Sequence, residues 1–192
     1  MKKTVDINNY VSINTNKVFC LDTNVLYWYT YPRYGTVKPG VTNQAQVYYD
    51  FVDKLVSDGN PLYTSVYNIS ELLNVIEKNE YDIYTTMHPE IPLTKKDYRR
   101  ISTERESLKR IMKTTLANVK AICKVIDFEF SSKTMDLFVA NLSDHRCDVF
   151  DYLILNHYVE INELNILSDD NDFATFEGIN LYTANTKILE AL

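Results

Sequence analysis

The chain has 192 residues, 45% of them hydrophobic and 24% charged, with only four glycines and five prolines; this fits one folded domain with its own core and excludes a long disordered linker. No stretch approaches the ~18 consecutive apolar residues of a membrane-spanning helix. The polar residues after Met1-Lys2-Lys3 do not form a secretory signal, so a cytoplasmic protein is expected. The formal charge of −6 divides unevenly: residues 94–124 carry 10 basic against 3 acidic side chains (+7), and the rest of the chain 10 against 23 (−13).

In chain order, Lys17 to Leu21 is an apolar run predicted to be a strand ending at Asp22, and Val25-Leu26-Tyr27-Trp28 begins a helix or an ordered loop. Val47, Phe51 and Leu55, with Tyr48 and Val52, recur at helical spacing over 43–58, and Gly59-Asn60-Pro61 stops that helix. Leu62-Tyr63-Thr64 is a second strand. Ser65 is then an N-cap for a helix with Ile69, Leu72, Leu73 and Ile76 on one face and Glu71 between them. Residues 80–96, with Pro89 and Pro92, show no firm period and are expected to be irregular. Ile101, Leu108, Ile111, Met112, Thr115, Val119, Ile122 and Ile126 keep to one side of a long amphipathic helix, with most basic residues off that stripe. A strand over 125–130, helices over 131–142 and 148–161, a strand over 164–168, an edge strand at Leu181-Tyr182-Thr183 and a terminal helix complete the expectation.

Strands alternating with helices predict an α/β fold, a three-layer sandwich with a mostly parallel sheet covered on both faces. Ligands collect at the carboxyl ends of such strands. Asp22 follows the first strand, and Asp169, Asp170 and Asp172 follow the strand near the C-terminus. Each acid has a plainer reading taken singly, as a helix cap, a turn former or a solvated helix residue. Together they carry more weight. Asp148 and Asp151, three residues apart at the start of one helix, place two like charges on one face, a cost that a hard divalent cation removes.

In four places, in order, the sequence resembles the PIN-domain (PilT N-terminus) ribonuclease family, which includes the VapC toxins of bacterial toxin–antitoxin pairs. The family's opening strand and acid resemble Val18-Phe19-Cys20-Leu21-Asp22-Thr23-Asn24-Val25-Leu26, and its Ser-led helix resembles Ser65 through Glu71-Leu72-Leu73. Its Asp opening an apolar helix resembles Asp151-Tyr152-Leu153-Ile154-Leu155. Its strand followed by Thr-x-Asp-x-Asp-Phe resembles Leu167-Ser168-Asp169-Asp170-Asn171-Asp172-Phe173, with Ser in place of the more usual Thr.

The resemblance implies a metal-dependent endoribonuclease using Mg²⁺ or Mn²⁺. Asp22, Glu71, Asp151 and Asp170 would be the catalytic and metal-binding acids, Asp148 and Asp172 further metal ligands, and Asn24 and Ser168 would stand behind them. The third helix could instead begin its site at Asp148. RNA is the implied substrate. An antitoxin and a homodimer follow from the resemblance alone, and no membrane partner is expected. The family core leaves 80–124 over, as an insertion or helical hairpin within a single domain spanning 1–192.

Lys95, Lys96, Arg99, Arg100, Arg105, Lys109, Arg110 and Lys113 are candidates for RNA phosphate contacts, and the alternatives are a solvated helix face or a seat for an acidic partner. Tyr27, Trp28, Tyr29 and Tyr31 either stack on bases or pack in the core. Cys20, Cys123 and Cys147, odd in number and widely spaced, are expected to be buried free thiols. No G-x-S-x-G turn, metalloprotease His spacing, P-loop or G-x-G-x-x-G is present. A haloacid-dehalogenase-type phosphatase needs an Asp where Asn24 stands. The remaining alternative is a PIN-like scaffold that binds RNA or protein without cutting.

Overall fold

The computed structural model describes residues 3–9, 17–34, 42–127, 131–142, 147–160 and 165–191. Six strands form one sheet: β1 (Lys3–Asp6), β2 (Phe19–Leu21), β3 (Leu62–Ser65), β4 (Cys123–Ile126), β5 (Asn165–Leu167) and β6 (Asn180–Thr183). Their order is β1-β6-β5-β2-β3-β4, and every pairing is parallel. Parallel strands are joined by helical crossovers, which cover both faces of the sheet.

The alternation along the strands shows the three layers. Phe19 and Leu21 of β2, Leu167 of β5 and Tyr182 of β6 enter one cluster with residues of α1 (Thr23–Thr30), α2 (Thr42–Ser57), α3 (Val66–Met87) and α5 (Ser102–Ile122). Their neighbours Cys20, Ile166 and Leu181 enter a second cluster with Tyr152, Leu153, Leu155 and Tyr158 of α7 (Val149–Glu160) and Ile188 of α8 (Thr186–Glu190), against which Met135 and Phe138 of α6 (Ser132–Ala140) pack. Side chains of period two therefore bury both faces. The fold is an α/β/α sandwich with a parallel central sheet, as the alternation of elements predicts.

Local chemistry explains most boundaries. Gly59, at φ 73°, ends α2: its N–H bonds the Val56 carbonyl and the Asn60 N–H bonds that of Leu55, the paired C-terminal bonds that need a left-handed residue. Ser65 caps α3 through the Asn68 N–H, and Asn68 answers through its own side chain. Asp148 accepts from the N–H groups of Phe150 and Asp151 and caps α7.

Three expectations need correction. First, α3 does not break near residue 80 but continues to Met87, because Glu80 and Ile83 are buried and Tyr81 and Tyr84 pack on Tyr98 of the short α4 (Lys95–Tyr98). The helix stops at His88, before Pro89, where helical backbone is disfavoured. Second, α5 ends at Ile122, and the chain passes into β4 at Cys123, so Ile126 lies on a strand. Third, β6 is not an edge: β1 pairs outside it, Lys3 opposite Asn180. The tail of the strand expected over 125–130 (residues 128–130), Ile161 and Leu164 lie outside the described residues.

Candidate metal centre

The position of the site follows from strand order. β2 is flanked by β3 and β5, so the chain winds away from β2 in both directions. A crevice opens at the carboxyl ends where the winding reverses. Asp22 immediately follows β2, α3 carries Glu71 away from the end of β3, and Asp170 and Asp172 follow β5. Asp151 comes in from the first turn of α7.

These acids line two adjoining clefts of about 250 Å³ each. One is lined by Asp22, Thr23, Asn24, Glu71, Asp151 and Asp170, among others. The other is lined by Glu71, Asp148, Asp151, Asp170 and Asp172 together with Tyr67, Ser70, Asn74, Phe150 and Ile154. Glu71, Asp151 and Asp170 belong to both. The acids stand along the walls: among the described residues, no three carboxylate, imidazole or thiol groups converge closely enough to enclose an ion.

Asp22 is buried and held on both oxygens. Its Oδ1 accepts from the Thr23 N–H at 2.7 Å and from Asn68 Nδ2 at 3.2 Å. Its Oδ2 accepts from Asn24 Nδ2 and from Ser168 Oγ, both at 2.6 Å. Thr23 Oγ1 donates to Glu71 Oε2 at 2.6 Å, which ties the second acid to the first. Ser168 Oγ also accepts from the Asp170 N–H at 2.9 Å, so one hydroxyl links the loops after β2 and β5. Asp169 turns aside, accepting from Tyr48 and Gln44.

The electrostatics reflect crowding of like charge. Burial pushes Asp22 up to about 7 against the pull of its Ser168 and Thr23 hydrogen bonds, with Glu71 and Asp170 adding repulsion. Burial raises Asp151 to about 8, with repulsion from Asp148, Asp22, Asp170 and Glu71. Asp172 is also raised, by partial burial and by Asp170 and Asp148. An all-oxygen, mutually repelling donor set fits a hard divalent cation. Mg²⁺ takes one or two carboxylates and keeps several waters, so open walls suit it better than a closed cage.

Two residues that their place in the sequence does not single out hold this arrangement. Thr23 orients Glu71. Asn68 donates to Asp22 and to Thr23 Oγ1, and accepts at Oδ1 from Ser65 and from Tyr158. The one available signal was the S-x-x-N spacing of Ser65 and Asn68, a variant of the capping box.

The basic candidates lie on α4, α5 and the turn between them, and several are already engaged. Lys95, Arg99 and Arg105 surround Glu77 of α3 at 3.3, 2.5 and 3.1 Å, Arg100 meets Asp97, and Lys109 meets Glu106. Lys96, Arg110 and Lys113 form no ion pair among the described residues. Of the aromatic run after Asp22, Trp28 is 8% and Tyr31 1% exposed, while Tyr27 and Tyr29 pack partly buried against the same core. The three cysteines are free, with Cys20 and Cys123 buried and Cys147 only half-buried.

An α/β/α sandwich with a carboxylate-lined crevice at its point of reversal is the class of protein that fold and site define. No protein-family model matches the chain, and no curated protein matches it. Among solved structures it is similar to VapBC2 from Rickettsia felis bound to a DNA fragment from their promoter, at 14% identity and TM-score 0.48, covering 85% of this chain and 96% of that one. It is similar also to PAE2754 from Pyrobaculum aerophilum, at 12% identity and TM-score 0.42, covering 92% of this chain and 89% of that one. No described helix is long and apolar enough to cross a membrane.

Proposed function

We propose that this protein is a metal-dependent endoribonuclease of the PIN type that hydrolyses RNA phosphodiester bonds. One observation carries the reading: carboxylates from four separate segments, Asp22, Glu71, Asp151 and Asp170, line one cleft at the carboxyl ends of a parallel sheet. The four ordered sequence motifs support it independently. A Mg²⁺ or Mn²⁺ ion held by these acids, with Asp148 and Asp172 at the outer side, would supply positive charge for the transition state and a more acidic water.

The chain's own residues do the positioning. Ser168, Asn24, Asn68 and the Thr23 N–H fix the Asp22 carboxylate, and the Thr23 hydroxyl fixes Glu71. A site held this way loses little on reorganising at the moment of reaction. Unengaged cations on α4 and α5 offset the acidic repulsion of RNA. The same reading takes 1–192 as one domain with 80–124 as its extension. On the sequence resemblance it takes an antitoxin protein and a second copy as partners, and the second copy is checked by light scattering.

The test is cleavage of a mixed RNA pool by wild type and Asp170→Asn, each with Mg²⁺, Mn²⁺ or EDTA, alongside thermal melts. Cleavage only by wild type with metal is expected. Equal cleavage by the folded variant rejects the site. No cleavage by either, with metal and RNA still bound, turns the reading to a non-cutting RNA-binding module.

A further inference from the structure

Resting on the reading of the acidic cleft as an RNA-cutting site, we propose that Phe150 and Tyr67 form its base-stacking subsite, which receives a nucleobase beside the cleaved phosphate. On α3, Tyr67, Ser70, Glu71 and Asn74 are spaced by three and four residues and line the same cleft, one helical face turned toward it. On α7, Phe150, Asp151 and Ile154 line it too. The Tyr67 and Phe150 ring centroids lie 6.2 Å apart with planes inclined at 54°. Each aromatic ring is thus placed within a residue or one helical turn of a candidate catalytic acid.

Exposure separates Phe150 from the other aromatics near the site, Tyr67 and Tyr27 being partly buried. Phe150 is 54% exposed, whereas Trp28 and Tyr31 are nearly covered. A Phe half open to water at the start of a helix contributes little to the core. Its open face is suited to an apolar planar partner.

The polar members of the wall complete the match. A nucleobase has two apolar faces and a hydrogen-bonding edge, and single-stranded RNA is recognised by stacking on aromatic rings together with contacts to those edges. Ser70 offers a hydroxyl, and Asn74 both an amide donor and an acceptor. Both lie on the face of α3 that carries Tyr67 and Glu71. The acids at Asp148, Asp170 and Asp172 favour the neutral base over a further phosphate in this part of the cleft.

The experiment measures binding of a short fluorescent single-stranded RNA, and of the same chain made abasic, by anisotropy in Ca²⁺, with gels confirming intact RNA. Wild type, Phe150→Ala and Phe150→Trp are compared, with melts showing that the exposed substitutions leave folding intact. Phe150→Ala is expected to weaken RNA binding about tenfold, within the range of one lost base stack, and to leave the abasic chain unaffected. Phe150→Trp is expected to retain wild-type affinity. Equal RNA affinity for Phe150→Ala and wild type, in a wild type that cuts RNA with Mg²⁺ or Mn²⁺, overturns the stacking subsite alone. A wild type that neither binds nor cuts RNA overturns the nuclease reading and this inference with it.

Discussion

Asn68 is fully buried and shares hydrogen bonds with Ser65, Thr23, Asp22 and Tyr158. Replacing it by Ala strands several buried polar groups at once, at about 1–3 kcal/mol. The Asn68→Ala protein should therefore unfold at lower urea, and its Mg²⁺ affinity should fall because Asp22 is deprived of a donor; unchanged affinity would mean that Ser168 and Asn24 suffice. The acids themselves give a pH dependence. Asp22 and Asp151 are raised from an ordinary 3.8 to about 7 and about 8, so the folded state holds their protons more tightly than the unfolded chain. The resulting stabilisation is complete below about pH 4 and is lost as pH rises through 7 to 8. In EDTA the melting temperature is expected to fall between pH 5 and pH 9, less so in Asp151→Asn. Added Mn²⁺ should raise it more at the alkaline end, where protons no longer compete.

At the scale of elements, α3 is joined to α4 and α5 by a charged cluster as well as by apolar packing. Glu77 is nearly buried, and Arg99 with Lys95 holds its carboxyl down to about 2. The stabilisation is present above the ordinary carboxylate range and disappears as pH falls toward 2. The cations around it are about half exposed, so screening limits the contribution. Glu77→Gln is expected to cost about 1 kcal/mol at neutral pH, with a smaller loss in high salt, measured by urea unfolding. This cluster also shows why part of the fold is hidden from the sequence. The extension of α3 past residue 80 depends on Tyr98 and Arg33 arriving from elsewhere, and no local period announces it. β1 is hidden for a related reason: Lys3-Thr4-Val5-Asp6 is short and polar, and its partner β6 lies far along the chain. By contrast β2, β3 and β5 are legible as apolar runs ending in Asp22, Ser65 and Ser168. The acids of the cleft could be named through the four ordered motifs of the resemblance: Asp22 and Asp170 follow strands and Asp151 lies in the first turn of a helix, whereas Glu71 sits within α3 and is marked only by its motif. Asn68 and Thr23 could not, because their part is played through other side chains.

Across the whole molecule the division of charge has a consequence that the acidic total conceals. A chain of net −6 is repelled by RNA on average, so on the proposed function association would depend on which cations remain available on the +7 segment. Lys95, Arg99 and Arg105 serve Glu77 first, whereas Arg110 and Lys113 are exposed on α5, the helix packed against the one that carries Glu71 and Asn74 into the cleft. The substitutions should therefore separate into two kinds. Arg99→Ala is expected chiefly to lower stability. Arg110→Ala with Lys113→Ala is expected to leave the melting temperature unchanged and weaken RNA binding to a similar extent for every sequence, because phosphate contacts position without reading bases. Each phosphate-binding cation removed flattens the slope of log affinity against log salt by about 0.7 for a single strand, so the double variant should flatten it by roughly 1.4. A slope equal to that of wild type would mean that this face of α5 is solvated and that RNA approaches the acids from the side of α7.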